Sequence, residues 1–268
     1  MHPKGTSCGR PHWATDTGGT PATAQQKNRE DLKMIGIIGA MSIEVNGIIS
    51  KMERPHERIV SSMKFTVGNI SGTECVIAQC GIGKVNAAMC AQTMILCFKP
   101  DIIINTGIAG STSDKTHIGS VVIAENVVQH DFDTTALGDE KGMLFLPEEN
   151  IVFIPSDQKL REELSAVCDG LDDVDYTIGN IATGDLFIST RELRSKLNTK
   201  FSALACEMEG GSIGHVCYVN HVPFCILRSI SDDNSSDGGA AEEYHVFAQS
   251  AAEKAIEIIT AFIAGHKK

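Results

Sequence analysis

Short runs of Val, Ile and Leu recur along this chain from Met34 onward, and segments with helical periodicity separate them. The runs that we interpret as strands are MIGIIGA (34–40), CVIAQC (75–80), DIIINTG (101–107), SVVIAENVV (120–128), FSALACE (201–207) and PFCILRSI (223–230). The helical segments lie at 84–97, 157–168, 189–197, 209–219 and 240–264. Continuous apolar runs are typical of strands that helices cover on both faces. The alternation predicts an α/β fold with a mixed, mostly parallel central sheet flanked by helices.

The first 33 residues differ from the rest of the chain. They are rich in Gly, Thr, Pro and polar residues, and they show neither a hydrophobic period nor the apolar core of a secretory signal. We expect residues 1–33 to form a disordered extension or a leader before a second methionine, Met34. The sequence shows no internal repeat and no second linker, so residues 34–268 are predicted to form a single domain.

Charge and cysteine usage restrict the partners and the compartment. The formal net charge of −11 argues against a nucleic-acid-binding surface, which needs a basic stripe to neutralise phosphates. No apolar run reaches the roughly 18 residues of a membrane span, so no membrane partner is expected. The nine cysteines follow neither a metal-binding nor a disulfide spacing, which favours a reducing, cytoplasmic location.

Glycines, carboxylates and hydroxyls collect where the predicted strands end. The strand-end sequences are GAMSIE, QCGIGK, NTGIAGS, GDLFIS, CEMEGG and SISDDNSSD. Open α/β sheets bind ligands beyond the carboxyl ends of their strands. This pattern therefore predicts a site for a small molecule at one edge of the sheet.

Motifs for several cofactors are incomplete. GIGK (81–84) is not a phosphate loop, because Ala78 stands where the first glycine belongs and Val85 where a magnesium-binding hydroxyl belongs. GIIG (36–39) lacks the spacing of a dinucleotide-binding turn. His130 has no second histidine nearby to complete a metal site. We therefore expect neither a metal nor a cofactor.

Acidic residues at the strand ends have both a structural and a functional interpretation. Glu44 falls in the first turn of a helix, where it stabilises the helix dipole or serves as a general base. Asp232 follows the strand LRSI directly, so it belongs to a solvated turn or acts as an acid at the mouth of the sheet. Glu207 and Glu209 flank Met208 where an apolar strand ends, and no basic residue is close in sequence.

Together the strand-end motifs resemble those of the 5′-methylthioadenosine/S-adenosylhomocysteine nucleosidases, within the purine nucleoside phosphorylase superfamily. The resemblance covers residues 34 to about 265. It rests on seven segments in family order: IGIIGAM with Glu44, GIGKVNAA, PDIIINTGIAG, GDLFI, EMEG, GHVC and VPFCILRSISD. Each segment alone is weak evidence, whereas seven in the same order are specific.

The resemblance implies hydrolysis of the N-ribosidic bond of 5′-methylthioadenosine and S-adenosylhomocysteine, with release of adenine. Such reactions pass through an oxocarbenium-like state. By resemblance, Asp232 is the general acid that protonates adenine N7, since adenine leaves poorly as an anion. Glu44 is then the general base that activates water on the opposite face of C1′.

The resemblance also assigns the groups that bind the nucleoside. Glu209 accepts the ribose 2′- and 3′-hydroxyls, and Met208 packs on the sugar. Phe187 stacks on the base, and Ile188 holds it through its backbone. The remaining predicted binding residues, of which the first two face the sugar and alkylthio side, are Met41, Ile82, Ile108, Ala109, Gly110, Ser231 and Arg228.

Three alternatives stay open. A phosphorylase would need charged or hydroxyl groups for phosphate, but Asn105 and Ile108 offer no charge, so water is the favoured nucleophile. Ile108 replaces a serine usual in the nucleosidases, and Leu137 stands where an aromatic residue is frequent, so another 5′-modified adenosine or a futalosine-type nucleoside is a second candidate. A nucleoside sensor without turnover is the third, but it would not need both an acid and a base.

Two further hypotheses concern the assembly of the protein and a buried ion pair. In the family a homodimer completes the pocket, and the segment around Thr134, Leu137 and Pro147 is the candidate contribution here. Glu207 is assigned to structure, as the ion-pair partner of Arg228.

Overall fold

The computed structural model describes residues 34–233, 235 and 239–266, so the expectation for residues 1–33 lies outside the described part. In that part the strands are β1 (Met34–Gly39), β2 (Glu53–Val60), β3 (Met63–Ile70), β4 (Thr73–Gln79), β5 (Ile102–Ser111), β6 (Val121–Gln129), β7 (Leu144–Phe145), β8 (Asn150–Ile151), β9 (Ile154–Pro155), β10 (Tyr176–Thr183), β11 (Ala203–Glu207) and β12 (Phe224–Asp232). The helices are α1 (Ser42–Ile49), α2 (Lys84–Phe98), α3 (Gln158–Asp169), α4 (Arg191–Phe201), α5 (Gly210–Val219) and α6 (Gly239–Ala264).

Ten of these strands form one mixed sheet. Its order is β11-β10-β6-β12-β5-β1-β4-β3-β2, and β9 pairs with β6. The central pairs β1–β4, β1–β5 and β5–β12 are parallel, as are β6–β10 and β10–β11. Antiparallel pairs add the β2–β3–β4 edge and join β6 to β12. The predicted α/β fold with a mixed central sheet is confirmed.

One half of the sheet closes on itself. The end of β5 turns to pair antiparallel with β11, where Gly110 lies opposite Cys206. β5, β12, β6, β10 and β11 thereby form a ring in which each strand pairs with the next. The ring brings the ends of β5, β11 and β12 side by side, which is where the acidic motifs lie.

Two apolar layers lie on the two faces of the sheet. On β1 the side chain of Ile38 packs in one layer with Met94 of α2 and Ile213 of α5. The neighbouring Ile37 points to the other layer, which contains Ile48 of α1 and residues of α3 and α6. Period-two alternation therefore gives both faces apolar side chains, which explains the continuous apolar runs.

The hairpin of β2 and β3, and the strand β10, were not predicted. Seven of the eight residues of β2 are exposed, and its sequence ERPHERIV has no apolar alternation. β10 has the sequence YTIGNIAT, in which polar residues and a glycine interrupt the apolar run. β2 and β10 form because neighbouring strands offer backbone partners, which a local pattern does not reveal. Among the described helices, none combines the length and the apolar character needed to cross a bilayer.

Candidate active site

A cavity of about 400 Å³ opens where β1, β5, β11 and β12 end, beside the first turns of α6. The predicted site residues that line it are Met41, Glu44, Ile82, Ile108, Ala109, Gly110, Phe187, Met208, Glu209, Ser231 and Asp232. The lining residues that sequence analysis did not select are Ala40, Cys206, Glu207, Ala241, Tyr244 and His245. The fold therefore collects the strand-end motifs around one concave, largely apolar site.

Two predicted binding residues do not line this cavity. Ile188 lines a small adjoining pocket of about 30 Å³, together with Phe187 and Asp232. Arg228 is only 1% exposed and lies behind the wall, in contact with carboxylates that face the cavity. Arg228 therefore acts on the site through these carboxylates.

Glu44 is the third residue along α1 from the helix N-terminal cap, and its side chain turns back onto the strand ends. Oε2 accepts hydrogen bonds from the backbone N–H groups of Ala40, at 2.6 Å, and Met41, at 2.9 Å. Oε1 accepts from the N–H of Ile108 on β5, at 3.1 Å. Burial raises the pKa of Glu44, while the charge of Arg228 and the three N–H groups oppose the shift. The result is a fixed, basic carboxylate at the cavity wall.

Glu207 is a buried anchor beneath the EME motif. Its Oε2 lies 2.5 Å from Nη2 of Arg228, so the predicted pair of these residues is confirmed. The same oxygen accepts from the N–H groups of Glu209, at 3.0 Å, and Gly210, at 2.6 Å. Nη2 of Arg228 also donates to Oδ1 of Asn105, at 2.5 Å. Glu207 thus fixes the backbone turn that presents Glu209.

Glu209 points into the cavity from the start of α5. Its Oε1 accepts a hydrogen bond from the N–H of Gly83 at 2.9 Å. Burial, and then the charge of Glu207, raise the pKa of Glu209 to about 7. Gly83 has a φ of +98°, which favours glycine, and a Cβ there would lie 3.1 Å from Oδ1 of Asp185. The GIGK turn therefore serves as a backbone donor to Glu209 rather than as a phosphate loop.

Asp232 ends β12 and is 1% exposed. Its Oδ1 accepts from the hydroxyl of Ser231 at 2.6 Å, and its Oδ2 forms an ion pair with Nη2 of Arg194. A Cβ at Gly110 would lie 2.8 Å from Oδ2 of Asp232 and 2.9 Å from Nη2 of Arg194. A glycine on β5 is therefore what gives this ion pair its room.

An aromatic pair closes one side of the cavity. The rings of Phe187 and Tyr244 meet edge to face with centroids 5.8 Å apart. The hydroxyl of Tyr244 lies 3.3 Å from Sδ of Met41. Phe187 is 42% exposed, so its ring is accessible to a planar ligand.

A polar cluster fixes the two loops that carry Ile82 and Phe187. The backbone N–H of Lys84 donates to Oδ1 of Asp185 at 2.8 Å, and its Nζ lies 2.7 Å from Oδ1 of Asp131. Oδ2 of Asp131 accepts from the N–H of Asp185 at 2.9 Å. The cluster thereby ties the turn before α2 to the loop after β10.

Arg194 and Tyr244 are the functional candidates that the sequence did not reveal. Arg194 stands in RELRSKLNTKF, a segment with five charged residues, and nothing local marks it as the one buried at 4% exposure. Tyr244 stands on the long closing helix α6, and its local sequence does not show which helical side chains face the cavity. Within the described ranges, no group of three or more His, Cys, Asp or Glu side chains is arranged to hold a metal.

Comparisons with known proteins identify the family to which this chain is similar. The sequence profile of the phosphorylase superfamily matches residues 34–264. A 5′-methylthioadenosine/S-adenosylhomocysteine nucleosidase of Staphylococcus aureus (strain JH9) is 38% identical over 231 residues, which cover 86% of this chain and 99% of that protein.

Solved structures of nucleosidases share the fold of this chain. The crystal structure of 5′-methylthioadenosine/S-adenosylhomocysteine nucleosidase from Neisseria meningitidis, in complex with methylthio-immucillin-A, matches with a TM-score of 0.81 and 29% identity, over 87% of this chain and 100% of that one. The native futalosine hydrolase of Helicobacter pylori strain 26695 matches with a TM-score of 0.80 and 31% identity, over 87% of this chain and 97% of that one.

Proposed function

Because this chain belongs to the phosphorylase superfamily, we propose that it is a nucleosidase that hydrolyses the N-ribosidic bond of 5′-methylthioadenosine and S-adenosylhomocysteine. The products are adenine and the corresponding 5-thioribose sugar. The resemblance to these nucleosidases, predicted from strand-end motifs, is confirmed by the relatives. The observation that carries the proposal is that Glu44, Glu209 and Asp232 surround one cavity large enough for a nucleoside.

The acid and the base approach β5 at different positions. Glu44 lies against Gly107, and Asp232 lies against Gly110. Both residues line the same cavity, so an acid and a base approach a bound nucleoside from separate points along the strand. In the proposed reaction Asp232 protonates N7 as the C1′–N9 bond breaks, and Glu44 takes a proton from the attacking water.

Glu209 serves the sugar. As a carboxylate it accepts both ribose hydroxyl protons, and its charge stabilises the cationic sugar of the transition state. Met208 packs beside the ring, and Phe187 stacks on the adenine. The pKa of Glu209 is raised to about 7. Its carboxylate form, which accepts the ribose hydroxyls, therefore becomes the major form as pH rises through neutrality.

The charges around the site favour water over phosphate as the nucleophile. No Lys or Arg is found among the described residues that line the cavity. Arg194 and Arg228, which lie behind the wall, already pair with Asp232 and Glu207. A phosphate ion would enter an acidic site without a free cation to balance it.

Adenine release in phosphate-free buffer tests this function. We expect methylthioadenosine and adenosylhomocysteine to release adenine equally well without and with phosphate, and Glu44→Gln to bind substrate without turning it over. Release only with added phosphate would identify a phosphorylase. The similarity to futalosine hydrolase makes a futalosine-type nucleoside the second substrate to assay. Failure of every nucleoside would contradict the proposal.

We also propose that the enzyme works as a homodimer in the cytoplasm. Leu137 is 82% exposed on the segment that includes Thr134 and Pro147, and an apolar side chain so exposed suits a contact with a second copy. The eight described cysteines are all unpaired, which suits a reducing compartment. Light scattering gives the mass in solution, and a fully active monomer would contradict the dimer.

A further inference from the structure

Arg194 places a buried cation directly against the proposed general acid. It lies on the first turn of α4, is 4% exposed, and pairs through Nη2 with Oδ2 of Asp232. Nothing in the catalytic scheme above uses it. Burying a guanidinium is costly unless its donors are satisfied, so its surroundings indicate what it does.

Backbone carbonyl groups hold this guanidinium in place. Nε donates to the carbonyl oxygen of Ile188 at 3.1 Å. Nη1 donates to the carbonyl oxygens of Ser111 and Asp232, both at 2.9 Å. These three acceptors keep their place whether or not the Asp232 side chain carries a proton. Arg194 is therefore a fixed positive charge, and it does not depend on the carboxylate for its position.

The carboxylate of Asp232 keeps acceptor capacity for a ligand. Its Oδ1 receives one hydrogen bond from Ser231, and its Oδ2 receives one from Arg194. Each carboxylate oxygen has about two lone-pair positions, so each retains one that can carry a proton for donation to a bound base. Asp232 lines the cavity, whereas Arg194 borders only the small adjoining pocket. Arg194 thus acts on a bound base through Asp232.

We propose that Arg194 is a positioning residue that drives proton transfer from Asp232 to the departing purine; this inference rests on the proposed function. As the C1′–N9 bond breaks, its electron pair goes to the purine, and the Asp232 proton moves to N7. Asp232 becomes a carboxylate in that step, and the fixed cation stabilises the new negative charge. While Asp232 still carries the proton that it donates, the cation stabilises it less, so the interaction lowers the barrier rather than KM.

Arg194→Met is the first test, with methylthioadenosine as the substrate. We expect kcat to fall by about 10²-fold, the typical share of one acid–base group, while KM and adenine binding stay close to wild type. Arg194→Lys restores part of kcat, because an ammonium keeps the charge but not the planar fork. Lys196→Met is the matched control, because it removes an exposed cation from the same helix, and it retains full activity.

A substrate with a better leaving group separates this role from a structural one. The 6-chloropurine analogue of methylthioadenosine releases its purine as an anion more readily, so it depends less on N7 protonation. We expect the kcat defect of Arg194→Met to shrink with this analogue. An equal defect on both substrates, a loss that lysine does not reduce, or a wild-type kcat would each overturn the role of Arg194. If the wild-type enzyme releases no purine from any of these nucleosides, the proposed function itself fails.

Discussion

Gly107→Ala tests the placement of the proposed base without touching the carboxylate itself. A Cβ at position 107 would lie 2.5 Å from Oε1 of Glu44 and 2.9 Å from its Cδ. An ordinary contact begins at 3.4 Å, so Oε1 has to move by about 0.9 Å. The N–H groups of Ala40, Met41 and Ile108 hold the carboxylate where it is, so this shift breaks hydrogen bonds. A displacement near 1 Å in a catalytic group costs about 10²-fold in rate.

Steady-state kinetics and thermal unfolding measure the two parts of this prediction. We expect kcat for adenine release to fall about 10²-fold, and stability to fall by about 1–3 kcal/mol, the usual cost of overpacking. Gly170→Ala is the matched control, because its Cβ would meet only carbonyl oxygens at 3.6 Å, far from the cavity. A Gly107→Ala enzyme with wild-type kcat would refute the reasoning that Glu44 must stay where β5 holds it.

Three further predictions concern the buried charges. The pKa of Glu209 is raised from 4.5 to about 7, so the folded state binds this proton more tightly, and the stability that it contributes is lost as pH rises through that window. Urea unfolding at pH 5 and pH 8 should therefore show wild type losing about 2.5 kcal/mol relative to Glu209→Gln, and equal losses would contradict it. Arg228→Met leaves Glu207 and Asn105 without their partner, so we expect a loss of about 3–5 kcal/mol in chemical denaturation, and unchanged stability would show that the pair is dispensable. Glu44→Gln should bind methylthioadenosine in calorimetry yet release no adenine, and retained turnover would remove Glu44 from the role of base.

The central strands were predictable because burial on both faces leaves a continuous apolar run. β1 and β5 follow this rule, and their bounds agree with the predicted segments within a few residues, except that β5 runs on to Ser111. The extension of β5 exists because β11 pairs with it across the ring, which is a long-range contact. β2 is exposed and has no apolar face, so its local sequence does not predict a strand.

The site residues also separate into those that the sequence predicts and those that it does not. Glu44, Glu209 and Asp232 stand next to strand ends, and the geometry of an α/β sheet brings such positions together. Arg194 and Tyr244 come from helices, and whether a helical side chain reaches the site or its wall depends on how the helix packs. A buried arginine among exposed charges has the same local sequence as a solvated one, so only the structure distinguishes them.

The closed ring of strands also has a consequence for how the enzyme assembles. Its last pairing joins β5 to β11, which lie roughly a hundred residues apart in the chain, and contacts of such high sequence separation slow folding. Glu209 and Asp232 come to face one cavity only when that pairing exists, so a partly folded chain has the strands but no catalytic site. After dilution from denaturant, recovery of adenine release should therefore lag behind recovery of secondary structure. The return of turnover would then report the rate of the final step of folding.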